Sequence, residues 1–378
     1  MQNFDDIRFY NDKEVNVALR EYVQHPMIKA LLKFTFPDLK FREIEEIVLT
    51  CNSIEDFQTR VIYLSVEKVL ERTSEGLTDK GFDKLDSKES YFFISNHRDI
   101  ILDTSLINYT LYNHDLVMTA SAIGDNLVQK PFLMALSKLN RNFLVLRNQS
   151  PREMLKSSMK LSEYIRQLLL EEGRSVWMAQ REGRTKDGND HTQQGVLKML
   201  AMAKGENDIL DYFAKLKIVP VAISYEFDPT DMLKMPEVLA KRMKEEYKKT
   251  ANEDFNSIMQ GALGQKGRIQ LNAGKVLTRE DFAKIREQEL SVNDQLKEVS
   301  RLIDRTIYRN FKLWPANYIA YDLLKNENRF ADNYSEKEKR KFERRISRRV
   351  DVKNPLALNS YLLMYANPVI NKMSLDEE

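Results

Sequence analysis

The pattern of apolar and polar positions divides the chain into three zones. Over 1–88 apolar residues recur at helical spacing: Val15, Leu19, Tyr22 and Val23 share one face, and Met27, Ala30, Leu31 and Phe34 share the next. Pro37 interrupts, Ile44, Ile47 and Val48 resume, and an amphipathic stretch covers 54–72 before residues 73–77, which read as a helix stop and turn. A helical bundle is predicted there. Over 89–235 the rhythm changes. The short apolar runs YFFIS, DLVMTAS, NFLVLR, SVWMAQ and KIVPVAIS alternate with stretches of helical spacing, which predicts strands and helices in turn and hence an α/β layer. Pro220, inside the last run, cannot donate a ladder hydrogen bond, so an edge strand or an irregularity is expected there. Over 236–378 the spacing is helical again, highly charged, with no strand-like run of comparable quality. The predicted fold is α/β, a mixed sheet flanked by helices, with an N-terminal helical bundle and a C-terminal helical extension.

Composition narrows this picture. The 378 residues carry 59 Lys and Arg against 57 Asp and Glu, a net charge of +2. That balance, with 42% hydrophobic residues, argues against wholesale disorder and against a globally basic nucleic-acid binder. Glycine is scarce at 12 residues, which favours helix over a turn-rich β protein. A single cysteine, Cys51, excludes an internal disulfide framework and a CxxC-type zinc site. The first residues are charged with no apolar core of a signal peptide, and no run of 18 apolar residues occurs, so neither a leader nor a transmembrane helix is expected. Any membrane contact is then expected to be peripheral, from a cytoplasmic location.

Candidate chemistry sits where strands give way to helices, as open α/β sheets favour. The first strand-like run ends in NHRD, and a helix-like segment follows through Asp103. A histidine there can act as a general base, and a carboxylate further on can fix its tautomer; a surface His beside ordinary helix charges is the plainer reading. After SVWMAQ comes QREGRTKDG, where Gly183 allows close backbone approach and Arg184 suits an anion, unless this is simply a polar loop. Arg147 ends NFLVLR, and alone it reads as an incidental charge.

Taken in order, NHRDIILD, NFLVLRN, REGRTKDG and IVPVAISYE resemble the four blocks of the glycerolipid acyltransferases, the glycerol-3-phosphate and lysophosphatidate acyltransferases, over roughly 89–230. The resemblance implies His97 as catalytic base with Asp103 as its carboxylate partner. It implies Arg147, Glu182, Gly183 and Arg184 at the acceptor, and Pro220 in a structural role or near the acyl site. Two departures stand out. Five residues separate His97 from Asp103 where the family has four, an excess that a π-bulge would absorb or that makes Asp99 the partner. Arg184 also falls one position early against the family's usual Pro-Glu-Gly-Thr-Arg. The implied reaction is O-acyl transfer from an acyl-carrier-protein or CoA thioester, with no metal or other cofactor. Backbone N–H groups after Asn96 are candidates for holding the oxyanion.

Two rivals remain open on sequence grounds. A lyso amino-acid lipid (an ornithine or glycine lipid) could replace the phosphate acceptor, and a non-enzymatic lipid-binding module would need no His–Asp pair. The C-terminal stretch 335–353 holds nine Lys and Arg against four acids, followed by the apolar NPLALNSYLLMYANPVI. It reads as a solvated helix face, as a membrane-surface helix facing anionic headgroups with Leu356, Leu358, Leu362, Leu363 and Tyr365 inserting or packed on the core, or, less well, as a nucleic-acid arm.

Overall fold

The computed structural model describes residues 3–376. Its centre is a seven-stranded sheet with strands β1 (Ser74–Lys80), β2 (Phe92–Ser95), β3 (Ala120–Gly124), β4 (Asn142–Val145), β5 (Val176–Ala179), β6 (Ile218–Tyr225) and β7 (Gly267–Ala273), in the order β1-β7-β6-β2-β5-β3-β4. The pairs from β6 through β4 are parallel, β7 runs antiparallel to β6, and β1 is parallel to β7. The expected mixed sheet flanked by helices is therefore present.

Alternation along the central strands divides two cores. Phe92, Ile94, Val176 and Met178 face one side, where the helices Pro151–Leu170 and Val292–Asn310 pack. Phe93, Trp177, Val219 and Val221 face the other, against Leu102, Leu106 and Ile107 of helix Leu102–Asn113. Strands covered on both faces read as continuous apolar runs, which is why these were visible in the sequence. The predicted run at 115–121 is the exception in register, since β3 begins only at Ala120.

The sheet is not confined to 89–235. The helix stops at Thr73 as read, but the turn expected after it is instead the start of β1, and β7 lies in a zone that gave no strand-like run. β1 is mostly exposed, so it lacks an apolar signature. β7 shows only Ile269, Leu271 and the small Ala273 at alternate positions, with Gln270 and Asn272 between them. Pro220 is not on an edge, because β6 lies between β7 and β2. Its neighbour Val221 is the first residue of β6 to pair with β7, so the missing donor falls where that ladder begins.

The N-terminal helices enclose their own core of Val15, Leu19, Ile44, Val48 and Val61, with Cys51 buried among them. The 54–72 stretch is not a regular helix: residues Gln58–Ile62 form a π-helical turn. At the other end, helices Pro315–Lys325, Glu336–Arg349 and Pro355–Met373 bury Phe342, Ile346, Tyr361, Leu362 and Tyr365 together with Phe227. Of the two roles left open for the apolar C-terminal residues, Leu362 and Tyr365 take the core one.

Candidate active site

The four sequence blocks converge through hydrogen bonds at the C-terminal ends of the parallel strands. Asn96, fully buried after β2, accepts from the N–H of Ile223 (2.8 Å) and donates to its carbonyl (2.9 Å), joining the first block to the fourth. The N–H of Thr185 donates to the carbonyl of His97 at 2.8 Å, which brings the third block to the first. Arg147 Nη1 donates to Glu182 Oε1 at 2.6 Å, which joins the second to the third.

Within this frame His97 Nδ1 lies 2.8 Å from Asp103 Oδ2. Asp103 is fully buried, while the imidazole keeps slight exposure and packs edge-on against Trp177. The same Oδ2 accepts the N–H groups of Arg98 (2.6 Å) and Asp99 (2.9 Å), and Oδ1 accepts from Tyr225 Oη (3.0 Å). A buried carboxylate taking four donors is held rigidly in place. The contact is made through Nδ1, so Nε2 is the ring nitrogen turned away from this carboxylate. Burial and the Asp103 charge push the Tyr225 phenol well above its ordinary range, so it remains a donor.

The extra residue between His97 and Asp103 is absorbed differently from the expected π-bulge. Residues 96–101 form a loop, and Asp103 sits in the first turn of a regular helix. Nor is Asp99 the partner of His97. Its Oδ1 accepts from Ile101 (3.1 Å) and Leu102 (2.9 Å) and so caps the helix, while Oδ2 is buried with no partner among the described residues. Burial first, then the neighbouring Asp103, raises the Asp99 carboxyl above its usual range. The oxyanion expectation is narrowed too: the N–H groups of Arg98, Asp99, Ile101 and Leu102 already serve carboxylates.

Among the expected acceptor residues, Arg147 and Glu182 are paired to each other at the surface, and Gly183 is exposed with φ +68°. An exposed pair of this kind is worth little. Arg184 turns inward: it is buried, and its Nη1 donates to Thr230 Oγ1 at 3.4 Å.

Sequence reasoning missed the support beneath the loop. Lys234, fully buried, pairs with Asp228 and donates to the carbonyl of Arg98 at 3.0 Å. Burial lowers its ammonium pKa, and Asp228 opposes that shift. Asp231, also fully buried, accepts from Arg345 (2.8 Å), Arg349 (2.6 Å), Tyr361 (2.7 Å) and Tyr365 (2.8 Å). Two cations of the basic C-terminal helix thus point inward. The available signal was a Lys among the apolar positions of DMLKMPEVL.

A second unforeseen feature is a cavity of about 480 Å³ whose lining includes Ile100, three residues after His97. Leu31, Phe34, Ile101, Ile123, Phe132 and Leu263 line it, so helices distant in sequence build one apolar chamber. Its size suits a small-molecule ligand. Among the described residues, no group of three or more His, Cys, Asp or Glu is arranged to hold a metal ion.

Comparison with known proteins gives a family-model match and likenesses among solved structures. The acyltransferase family model matches residues 76–224. No curated protein matches the chain in sequence. Among solved structures, the crystal structure of the 1-acyl-sn-glycerophosphate (LPA) acyltransferase PlsC from Thermotoga maritima matches at 15% identity, covering 78% of this chain and 93% of that one, with a TM-score of 0.34. That likeness is too loose to argue from.

Proposed function

We propose, from the premise that residues 76–224 are an acyltransferase domain, that this enzyme moves a fatty acyl group from a CoA or acyl-carrier-protein thioester to a hydroxyl of glycerol 3-phosphate or lysophosphatidate. The observation that carries the reading is the 2.8 Å contact of His97 Nδ1 with the fully buried Asp103, beside an apolar cavity that would take the acyl chain. His97 Nε2 removes the acceptor's hydroxyl proton as that oxygen attacks the thioester carbonyl carbon. The tetrahedral intermediate then expels the thiolate, which takes the proton back from the imidazolium. Asp103 stabilises that cation while it exists.

The acceptor phosphate would be held by Arg147 and Arg184. Arg147 can exchange its exposed Glu182 partner at little cost, and among the described residues Arg184 makes no ion pair that a phosphate would have to break. Fixing the phosphate converts a bimolecular encounter into an oriented one.

Substituting His97→Ala is expected to lower product formation by about 10²- to 10⁴-fold, read by mass spectrometry of products formed from acyl thioesters and a panel of phosphate and amino-acid-lipid acceptors. Full activity in that variant would sink the mechanism. Turnover only with carboxylate acceptors would reassign the arginines.

A further inference from the structure

We propose that the membrane-docking face of this protein is the end of the sheet at which the candidate site opens, with the overhanging front of helix Pro151–Leu170 as its main contact and an anionic bilayer as its occupant. This rests on the lipid-acyltransferase reading for its purpose, though not for its test. That helix begins just after β4, and its buried residues start only at Leu161. Ahead of Leu161, Met154, Leu155 and Met159 are each at least half exposed. At 100° per residue, Met154 continues the apolar stripe formed by Leu161, Ile165 and Leu168, while Leu155 and Met159 stand roughly 120° and 160° round the helix from Leu161, on its outer face. The stripe therefore runs off the core into solvent. Arg152 and Lys156, both exposed, stand beside Leu155 and Met159 on that outer face. Long apolar side chains bordered by cations are what a headgroup layer with negative lipids accommodates.

Three further exposed apolar residues lie at the same end of the sheet. Met232 is in the first turn of helix Asp231–Met243, which leaves the C-terminal end of β6. Met259 and Leu263 are in the closing turns of helix Glu253–Leu263. That helix leads into β7, whose start lies beside the end of β6, and both residues also line the cavity. The supporting strands β4, β6 and β7 span five strand spacings, about 24 Å. A single helix of a small acidic carrier protein is about 10–12 Å across, so it would cover one part of such a face, whereas a plane meets all of it. The C-terminal basic helix is the weaker candidate, because Arg345 and Arg349 are committed to Asp231 and Phe342 and Ile346 to the core.

The test is sedimentation of the full chain with vesicles of phosphatidylcholine alone or mixed equally with phosphatidylglycerol, read without turnover. Wild type is expected to bind the mixed vesicles. A Met154→Ser/Leu155→Ser/Met159→Ser variant should bind at least about tenfold more weakly while keeping its melting temperature and its rate on a soluble short-chain acyl-CoA. Arg152→Glu/Lys156→Glu should lose binding to the mixed vesicles with little change on phosphatidylcholine. A serine variant that binds as wild type does, or a wild type that binds no vesicles, overturns the proposal. A variant that keeps vesicle binding and loses rate only with carrier-protein thioesters assigns the patch to the carrier and overturns it as well. Vesicle binding by a protein that transfers no acyl group would upset the catalytic reading and leave this one standing.

Discussion

Two aspartates four residues apart divide the labour of one loop. Asp103 takes the imidazole and two backbone N–H groups. Asp99 caps the helix with one oxygen and leaves the other buried against helix Glu253–Leu263, where a Cβ at Gly261 would come within 2.0 Å of it. Asp103→Asn swaps an acceptor for a donor toward a histidine and two amides, so acyl transfer should fall by about 10²-fold or more with the fold intact. Asp99→Asn keeps the capping oxygen and removes a charge that burial already opposes, so activity and melting temperature should stay near wild type. Measuring both rates and both melting curves separates the roles. Equal loss in the two variants would contradict them.

Helix Asp231–Met243 is the element that couples the loop to the C-terminal helices, with Lys234 under the Arg98 carbonyl and Asp231 under Arg345 and Arg349. Lys234→Met alone should cost about 3–5 kcal/mol by stranding Asp228 without its cation. Adding Asp228→Asn should restore much of that stability. The double variant should still turn over about 10- to 100-fold more slowly, since the loop carbonyl has lost its donor and small displacements of a catalytic group are expensive. Urea titration against kcat distinguishes the two effects. A double variant with normal kcat would show that Lys234 serves packing alone.

None of this coupling was legible in the sequence, because it depends on which buried charges meet, and spacing does not report that. The His97 and Asp103 pair was legible, since both follow one strand closely. The five strands of the 89–235 zone were legible as short apolar runs, β2, β5 and β6 most clearly because both their faces are covered. β1 was not, because SEGLTDK exposes most of its residues, and neither was the cavity, whose walls come from helices far apart along the chain.

At the scale of the whole molecule, packing also sets how stability responds to pH. Asp304, on helix Val292–Asn310, accepts both the N–H (2.8 Å) and the hydroxyl (2.6 Å) of Thr192, and burial raises its carboxyl to about 7. The folded state therefore holds a proton that the unfolded chain releases near its ordinary value of 3.8. The stability that this group contributes is present below that value and is lost as pH rises through about 7. Asp304→Asn should raise the urea midpoint at pH 8, with a gain that shrinks as the pH is lowered toward 5. A constant difference across that range would contradict the assignment.

The pairing of β1 with β7 sets a timetable. Lys266, at the threshold of β7, holds Thr73 across 193 residues of chain, and Ser74 pairs with Gly267. On a ribosome adding roughly 5–20 residues per second, β1 waits roughly 10 to 40 s for the partner it needs. Over the last part of that wait, from the end of β6 to the start of β7, the nascent chain carries β6 with an open edge, which is a template for pairing with the wrong strand. Completion of β7 closes that edge and docks β1 in the same step, so the sheet reaches its final form late in synthesis.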